Sequence, residues 1–505
     1  MRMRKRFVIV GAGVGGLATA LRLAHRGHEV IVLEKTGVVG GRNRSQTVNQ
    51  CEFDGGPSLM MMLDPFRKLF EDVGERMEDH LQISLCDPSY RVFFRDGSQI
   101  EGTPNIARMV DQITKLCGAH EAEKYPKLIG DLGELYRESI PNFVRTNYLK
   151  AREIVAPGQL WRVIKHGMLS NLYKKIEKRF EDPRLRMLFT FQTMYLGLSP
   201  FRAPFVYGTL TYMEYGEGIW YPQGGLPAIS DAIAQLAMDR GAEIRLNCPV
   251  ARISGKEVEL ESGEVLKADA VISNADLPYT QRKLERQPTP PKYRNSCSAF
   301  VLYLDYEGPL PKLLHHNVFF GRDYRDNLEA LFGEPRMPDD PAFYACISKR
   351  SEPGRAPQGH ENLFLLIPCP NLECPWTETA QESLKAQVFQ RLADEVGFDP
   401  SRIRGMEMRT PEDWSRELNL HQGAAFGISA DLFQSAFFRP KNRSLFDKNL
   451  YYVGASTAPG NGLPMVLISA ELLEKRLIHD KVMTDGYVMP DFSENLPEEA
   501  SWTRE

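Results

Sequence analysis

Short apolar runs and glycine-marked turns divide the chain into segments of different period. Residues 7–10 are continuously apolar and read as a buried strand, and Gly11-Ala12-Gly13-Val14-Gly15-Gly16 follows at once. Leu17, Leu21 and Leu23 then recur at helical spacing until Gly27, a helix-ending residue. Residues 29–34 form a second β-branched run, so the unit is strand, glycine turn, helix, strand. Beyond it, 65–73 reads as a helix, and 90–94 with 99–100 as a hairpin around Asp96-Gly97. From 106 to about 198 glycine thins out, charges multiply and apolar residues recur at three and four, which predicts a helical insertion. Within it Trp161, Ile164, Met168, Leu172, Ile176 and Phe180 form one stripe, flanked by Lys165, Lys174, Lys175, Lys178 and Arg179.

The dinucleotide-type pattern returns at 219–225. A helix over 226–240, strands at 243–246 and 250–253, a hairpin at 258–260 and 265–268, and a buried parallel strand over 270–276 follow. After the proline-rich boundary at 288–291, apolar runs at 300–304, 318–320, 343–347 and 363–367 predict a sheet, then a helix near 380–396. A strand at 450–454 leads to a terminal helix at 464–475, and the residues from about 480 are polar and expected to be loosely held. The expectation is an α/β chain with a discontinuous dinucleotide-binding domain (1–105, 219–290 and 440–480). A helical insertion (106–218), a substrate-binding sheet domain (291–439) and a polar tail (481–505) complete it. No apolar run approaches the ~20 residues of a membrane span.

The glycine turn is the first candidate for chemistry. In strand–turn–helix context, Gly11 permits the tight turn, Gly13 lets the backbone approach a pyrophosphate and Gly16 lets helix pack on strand. Free N–H groups at the helix start would then face phosphate charge. Glu34 closes the second strand, where a carboxylate accepts hydrogen bonds from ribose hydroxyls and repels a 2′-phosphate, which speaks against NADP. Gly40-Gly41-Arg42 and Asp54-Gly55-Gly56-Pro57-Ser58 add a further close backbone approach, which a longer flavin dinucleotide needs and a nicotinamide does not. At the other end, residues 449–457 run from a strand into a glycine turn, and 459–466 open a second helix whose start can face the same cofactor.

The N-terminal block resembles the FAD-binding region of the amine oxidase and carotenoid desaturase superfamily. The run from His421-Gln422-Gly423 through Phe437-Phe438-Arg439-Pro440 and Gly454-Ala455-Ser456-Thr457 to Pro459-Gly460-Asn461-Gly462 is similar to the C-terminal signature of bacterial-type phytoene desaturases. The likeness extends from about Arg6 to Leu477. It implies a Rossmann-like, two-dinucleotide-binding-type flavoprotein that takes hydride from a long polyene onto FAD and passes the electrons to a quinone or oxygen. The cofactor-binding set it implies is Gly11, Gly13, Gly15 and Gly16; Glu34, Lys35, Gly41 and Arg42; Pro57, Ser58 and Val250; and Gly454, Ala455, Leu463 and Pro464. Many members carry histidine where this chain has Ala458, which puts oxidation chemistry or acceptor choice in question. Rival readings are a carotenoid oxidase or ketolase-like enzyme, a polyene isomerase, and a non-catalytic lipid-binding chaperone of prenylated GTPases.

A long apolar isoprenoid substrate requires a tunnel, for which Tyr195, Phe205, Tyr212, Met213 and Trp220 are candidates, each also suited to ordinary core packing. No acid–base residue is assigned: Glu214, Glu217 and His421 all have bland alternatives, the first two as solvated carboxylates beside the Tyr221–Gly225 stretch expected near the flavin. Net charge −4 and a pI of about 6.3 argue against nucleic acid. Eight cysteines show no zinc spacing and read as buried thiols of a reducing compartment, so no metal site is expected. The basic start leads straight into the glycine turn rather than into a signal sequence. Between 145 and 186, eleven Lys or Arg face four acids, a local excess of seven positive charges. With the apolar stripe this has the pattern of an interfacial helix, so a cytoplasmic, peripherally membrane-associated protein is expected.

Overall fold

The computed structural model of the protein describes residues 4–154, 156–431, 434–435 and 438–484. Its first sheet has five parallel strands in the order Leu450–Tyr452, Ala270–Ser273, Arg6–Val10, Glu29–Leu33 and Glu243–Arg245. Side chains alternate across a strand, and here both faces are covered, which explains the continuous apolar runs. Phe7 and Ile9 enter the core formed with the helices Val14–His25, Pro227–Asp239 and Leu463–His479. Val8 and Val10 enter a second core, against the antiparallel strands Val250–Ser254, Glu257–Leu260 and Val265–Lys267.

The second sheet has seven strands, in the order Ile403–Arg409, Ser298–Glu307, His360–Cys369, Phe343–Ile347, His316–Phe319, Tyr90–Phe93 and Gln99–Gly102. All neighbours are antiparallel except His316–Phe319 with Tyr90–Phe93. The helix Glu378–Val396 covers one face, burying Leu384, Val388 and Leu392. The hairpin at 90–102 therefore lies in this sheet and not in the 1–105 block where it was expected. The pairing that decides its place joins residues more than 200 positions apart, and no local pattern encodes it. A ribbon of Ile83–Cys86 with Ile219–Pro222 ties the chain where it leaves and re-enters the first domain.

The insertion is helical as its period indicates, but the stripe is not one helix. Gly167, in the left-handed region at φ 58°, ends Pro157–His166, and Leu172–Glu177 starts anew after Asn171 caps it. Met168, Leu172, Ile176 and Phe180 turn into the core. Trp161 and Ile164 turn outward, 59% and 70% exposed. The tail also begins later than expected, since Asp480 is held by Arg443, Arg476 and the Tyr451 hydroxyl. Residues 485–505 and Phe437 lie outside the described residues.

Candidate functional site

One continuous cavity of about 740 Å³ runs from the glycine turn to the seven-stranded sheet. Its two ends differ in material. At the first, Gly11, Gly13 and Gly15 form one wall, and Gly454 and Ala455 the wall facing them, with Asn274 between. A Cβ on Gly13 would lie 2.7 Å from Asn274 Nδ2, and one on Gly15 would lie 2.7 Å from Asn274 Oδ1. Gly16 does not face the cavity. A Cβ there would meet the Gly11 carbonyl oxygen at 2.2 Å, so its role is the close packing of helix on turn.

Two helices begin at this end of the cavity. Val14–His25 starts from Gly13 and Leu463–His479 from Gly462; neither N-cap has a side-chain hydrogen bond, and neither first turn holds an acid. A helix start without capping oxygen or carboxylate leaves N–H donors and a positive dipole end for an anionic ligand. At the far edge of the glycine wall, Glu34 is fixed by the backbone N–H groups of Ala12 and Thr36, each at 2.9 Å. These bonds aim its carboxylate along the cavity while leaving lone pairs for a diol.

Arg42 also lines this end, and its Nη1 donates to the Ala425 carbonyl at 2.8 Å. Burial lowers its pKa, and nearby Asp276 counters that. Asp276, itself pushed up by burial, accepts from the His421 backbone N–H (3.1 Å) and Ser456 Oγ (2.9 Å). Pro57, Ser58, Lys35, Gly41, Val250, Leu463 and Pro464 complete the expected set along the cavity wall. Fourteen of the fifteen expected cofactor-binding residues thus share one cavity, and only Gly16 stands behind it. The glycine walls, the two uncapped helix starts and the diol-facing carboxylate together fit a flavin dinucleotide.

Residues that sequence reasoning did not assign include Asn274, Ala275 and Asp276, all lining the cavity at the end of the strand Ala270–Ser273. That strand was expected as a buried parallel one, yet nothing in its composition marks Asn274 as the contact of several glycines. Arg439 is another. Fully buried, it donates to the carbonyls of Ile428 (3.1 Å), Ser429 (2.9 Å) and Ala455 (2.5 Å), locking the C-terminal turn to the preceding loop.

The other end of the cavity is aromatic and aliphatic. Phe191, Met194 and Tyr195 from the insertion meet Phe320, Tyr324 and Tyr344 from the second domain. Of the expected tunnel residues only Tyr195 is here; Phe205, Tyr212, Met213 and Trp220 pack elsewhere. The Tyr221–Gly225 stretch is also away from the lining. Instead it closes on the buried Asp54, which accepts from Tyr221 Oη at 2.9 Å and the Leu226 N–H at 3.0 Å and pairs with Arg355. A Cβ on Gly225 would strike both Asp54 and Arg355, which explains the glycine without a ligand.

The three uncommitted groups separate cleanly. His421 engages Asp276 through its backbone, and burial lowers its imidazole pKa. Glu217 accepts from Tyr136 Oη at 3.4 Å. Glu214, expected at the surface, is buried without a basic partner, and desolvation pushes its carboxyl to about 7. Sequence spacing offered no metal motif, yet the fold gathers buried Cys86, His315 and His316 within 4.8 Å. The charges of Arg355 and Arg350 bear on His315 there and oppose a cation.

Residues 14–472 match the family model described as flavin containing amine oxidoreductase. A zeta-carotene-forming phytoene desaturase of Myxococcus xanthus is 41% identical over 493 residues, 94% of each chain. A phytoene desaturase of Neurospora crassa is 33% identical over 94% of this chain and 84% of its own. Among solved structures, an oxidoreductase from Methanosarcina mazei superposes with a TM-score of 0.61 at 16% identity, covering 93% of this chain and all of that one.

Proposed function

We propose, from the premise that this chain belongs to the flavin-containing amine oxidoreductase family and to its phytoene desaturase-type branch, that it dehydrogenates a long isoprenoid polyene. Its cofactor is FAD. The observation that carries the reading is the continuous cavity, whose backbone-built polar end continues into an aromatic branch with no charged side chain in its lining.

When bound, FAD supplies the two-electron acceptor for a hydride from an allylic carbon. Gly13, Gly15 and the two helix starts would hold the pyrophosphate region, Glu34 the adenosine ribose, and Arg42 with Asp276 the middle of the cofactor. The aromatic branch holds the chain extended and excludes water, which matters because the substrate offers no polar group to grip. Electrons leave the enzyme to a quinone or to oxygen.

Substrate collection belongs to the insertion. The expected electrostatic attraction to a bilayer is weaker than the local charge excess implied, because the fold brings acids to it. Arg162 pairs with Glu138, Lys165 with Glu134, Arg179 with Asp131 and Arg145 with Asp64. The apolar contribution comes from Leu160, Trp161, Ile164 and Leu169, all exposed within ten residues, and not from the buried members of the stripe. We assign membrane docking to this patch, at about 1–3 kcal/mol per inserted side chain. No helix of the described residues is long and apolar enough to cross a membrane.

Product analysis in a host supplying phytoene and diapophytoene separately tests the function. A more conjugated carotenoid from one of them is the expected result, and unchanged colourless precursor in both hosts would overturn it. Replacing Trp161 and Ile164 with Asp should release the protein from vesicles with its flavin still bound.

A further inference from the structure

The dehydrogenation just proposed removes a hydride from one carbon and a proton from its neighbour, and the wall of the aromatic branch is free of ionisable groups other than tyrosine. Behind that wall lies Glu214, in a single π-helical turn, Met213–Glu217, an irregularity that tends to mark functional positions. Its Oε2 accepts from Tyr90 Oη at 3.0 Å and from Gln192 Nε2 at 2.9 Å. Its Oε1, also buried, has no hydrogen-bond partner.

Such an orphaned buried acceptor destabilises the fold, so a carboxyl here is not there for stability. The titratable groups facing it from each packed element are tyrosines. Tyr90 comes from the strand Tyr90–Phe93, Tyr195 from the turn Phe191–Leu196, and Tyr215 from its own turn, with Tyr125 of the helix Tyr125–Ser139 behind Tyr215. No lysine, arginine, histidine or second acid among the described residues contributes to its shift.

Tyr195 joins the carboxyl to the cavity. Its ring lines the aromatic branch, and its phenol lies against the Glu214 carboxylate, whose charge together with burial holds it well above its ordinary value. A phenol held this way does not ionise by itself but can take one proton while giving up another.

We propose that Tyr195 and Glu214 are the proton exit of the desaturation: Tyr195 Oη receives the substrate proton as its own phenolic proton passes to Glu214 Oε1. This rests on the desaturase reading. The C–H bond that breaks leaves its electron pair as the new carbon–carbon π bond. The hydride from the neighbouring carbon goes to FAD, the two-electron oxidant, and the proton ends on the carboxylate as a neutral acid. Tyr195 is the catalytic group because it lines the substrate branch; Glu214 is a positioning and proton-storing residue acting through it.

Glu214 must be ionised to accept, so the rate of flavin reduction by bound polyene should rise with pH through a midpoint of about 7 and then level. In a single anaerobic turnover, Glu214→Gln and Tyr195→Phe should each slow that reduction by about 100-fold and remove the rise, with flavin spectrum and polyene binding unchanged. Glu214→Asp should recover part of the rate. An infrared titration of the flavin-loaded enzyme without substrate gives an independent readout. A protonated buried carboxyl should disappear with a midpoint of about 7 in wild type and be missing from Glu214→Gln. The proposal is overturned if wild type shows no such carboxyl, or if both variants reduce flavin at the wild-type rate with the wild-type pH profile. Should Glu214→Gln fail to fold, Tyr195→Phe and Glu214→Asp carry the same test. A wild type that binds polyene and never reduces its flavin overturns the desaturase reading and this proposal together; one that desaturates while the variants match it overturns this proposal alone.

Discussion

The two ends of the cavity are made from different parts of the polypeptide. At the polar end the walls are mainly main chain, glycines without side chains and two helix starts without caps, joined by a carboxylate fixed by backbone N–H groups and by the side chains of Asn274, Arg42 and Asp276. At the apolar end the walls are side chains, brought together from the insertion and the second domain. A main-chain wall tolerates almost no substitution, because a Cβ on Gly13 or Gly15 would strike Asn274 at 2.7 Å. A side-chain wall can be repacked, and sequence change there alters which chain is held rather than whether anything is held.

Substitutions at each end should therefore fail differently. The largest effect belongs to Gly13→Val, whose Cβ meets Asn274 at 2.7 Å and whose methyls fill the cradle. The purified protein should carry no measurable flavin, and full flavin stoichiometry would break the contrast at once. Glu34→Arg should weaken FAD binding by about 2–4 kcal/mol, through lost charge-assisted hydrogen bonds; fluorescence titration of apoprotein with FAD measures it. Met194→Asn should leave FAD affinity unchanged and lower kcat/KM for the polyene by about 1–3 kcal/mol, the cost of a polar group in the apolar branch. A matching loss of flavin in that variant would show that the two ends are not separable. The smallest effect, under about 0.5 kcal/mol, is expected for Ala458→His. Ala458 does not line the cavity, and its backbone N–H is engaged by the Pro440 carbonyl at 3.0 Å. A shifted product pattern would place the turn nearer the ring than the cavity wall suggests.

The same contrast decides what could be read in the chain beforehand. Gly11, Gly13, Gly15, Glu34 and Gly454 belong to strand–turn–helix units a few residues long, so their requirements are local and their spacing survives in the sequence. Asn274 sits at the end of a strand whose apolar pattern was legible, but its contact with five glycine positions (11, 13, 15, 16 and 454) depends on how distant strands pair. The aromatic branch fared worse. Tyr195, Phe205 and Tyr212 look alike in composition, and only the packing of the insertion turns Tyr195 to the cavity and the others away. Glu214 was misplaced for the same reason: a carboxylate reads as solvated until the four tyrosines around it are assembled by elements from 90 to 215. The stripe from Trp161 to Phe180 kept its helical period across Gly167, and the break there sends its two halves in opposite directions.

The central claim is that a dinucleotide at the main-chain end and a polyene at the side-chain end occupy one cavity and react there. Anaerobic mixing of FAD-loaded protein with vesicles carrying the polyene, followed by absorbance, tests it most directly. One carbon–carbon double bond should form for each flavin that bleaches, in wild type and not in the flavin-free Gly13→Val protein. Flavin that stays oxidised while the polyene is demonstrably bound, or a conjugated product that forms without bleaching, would contradict it.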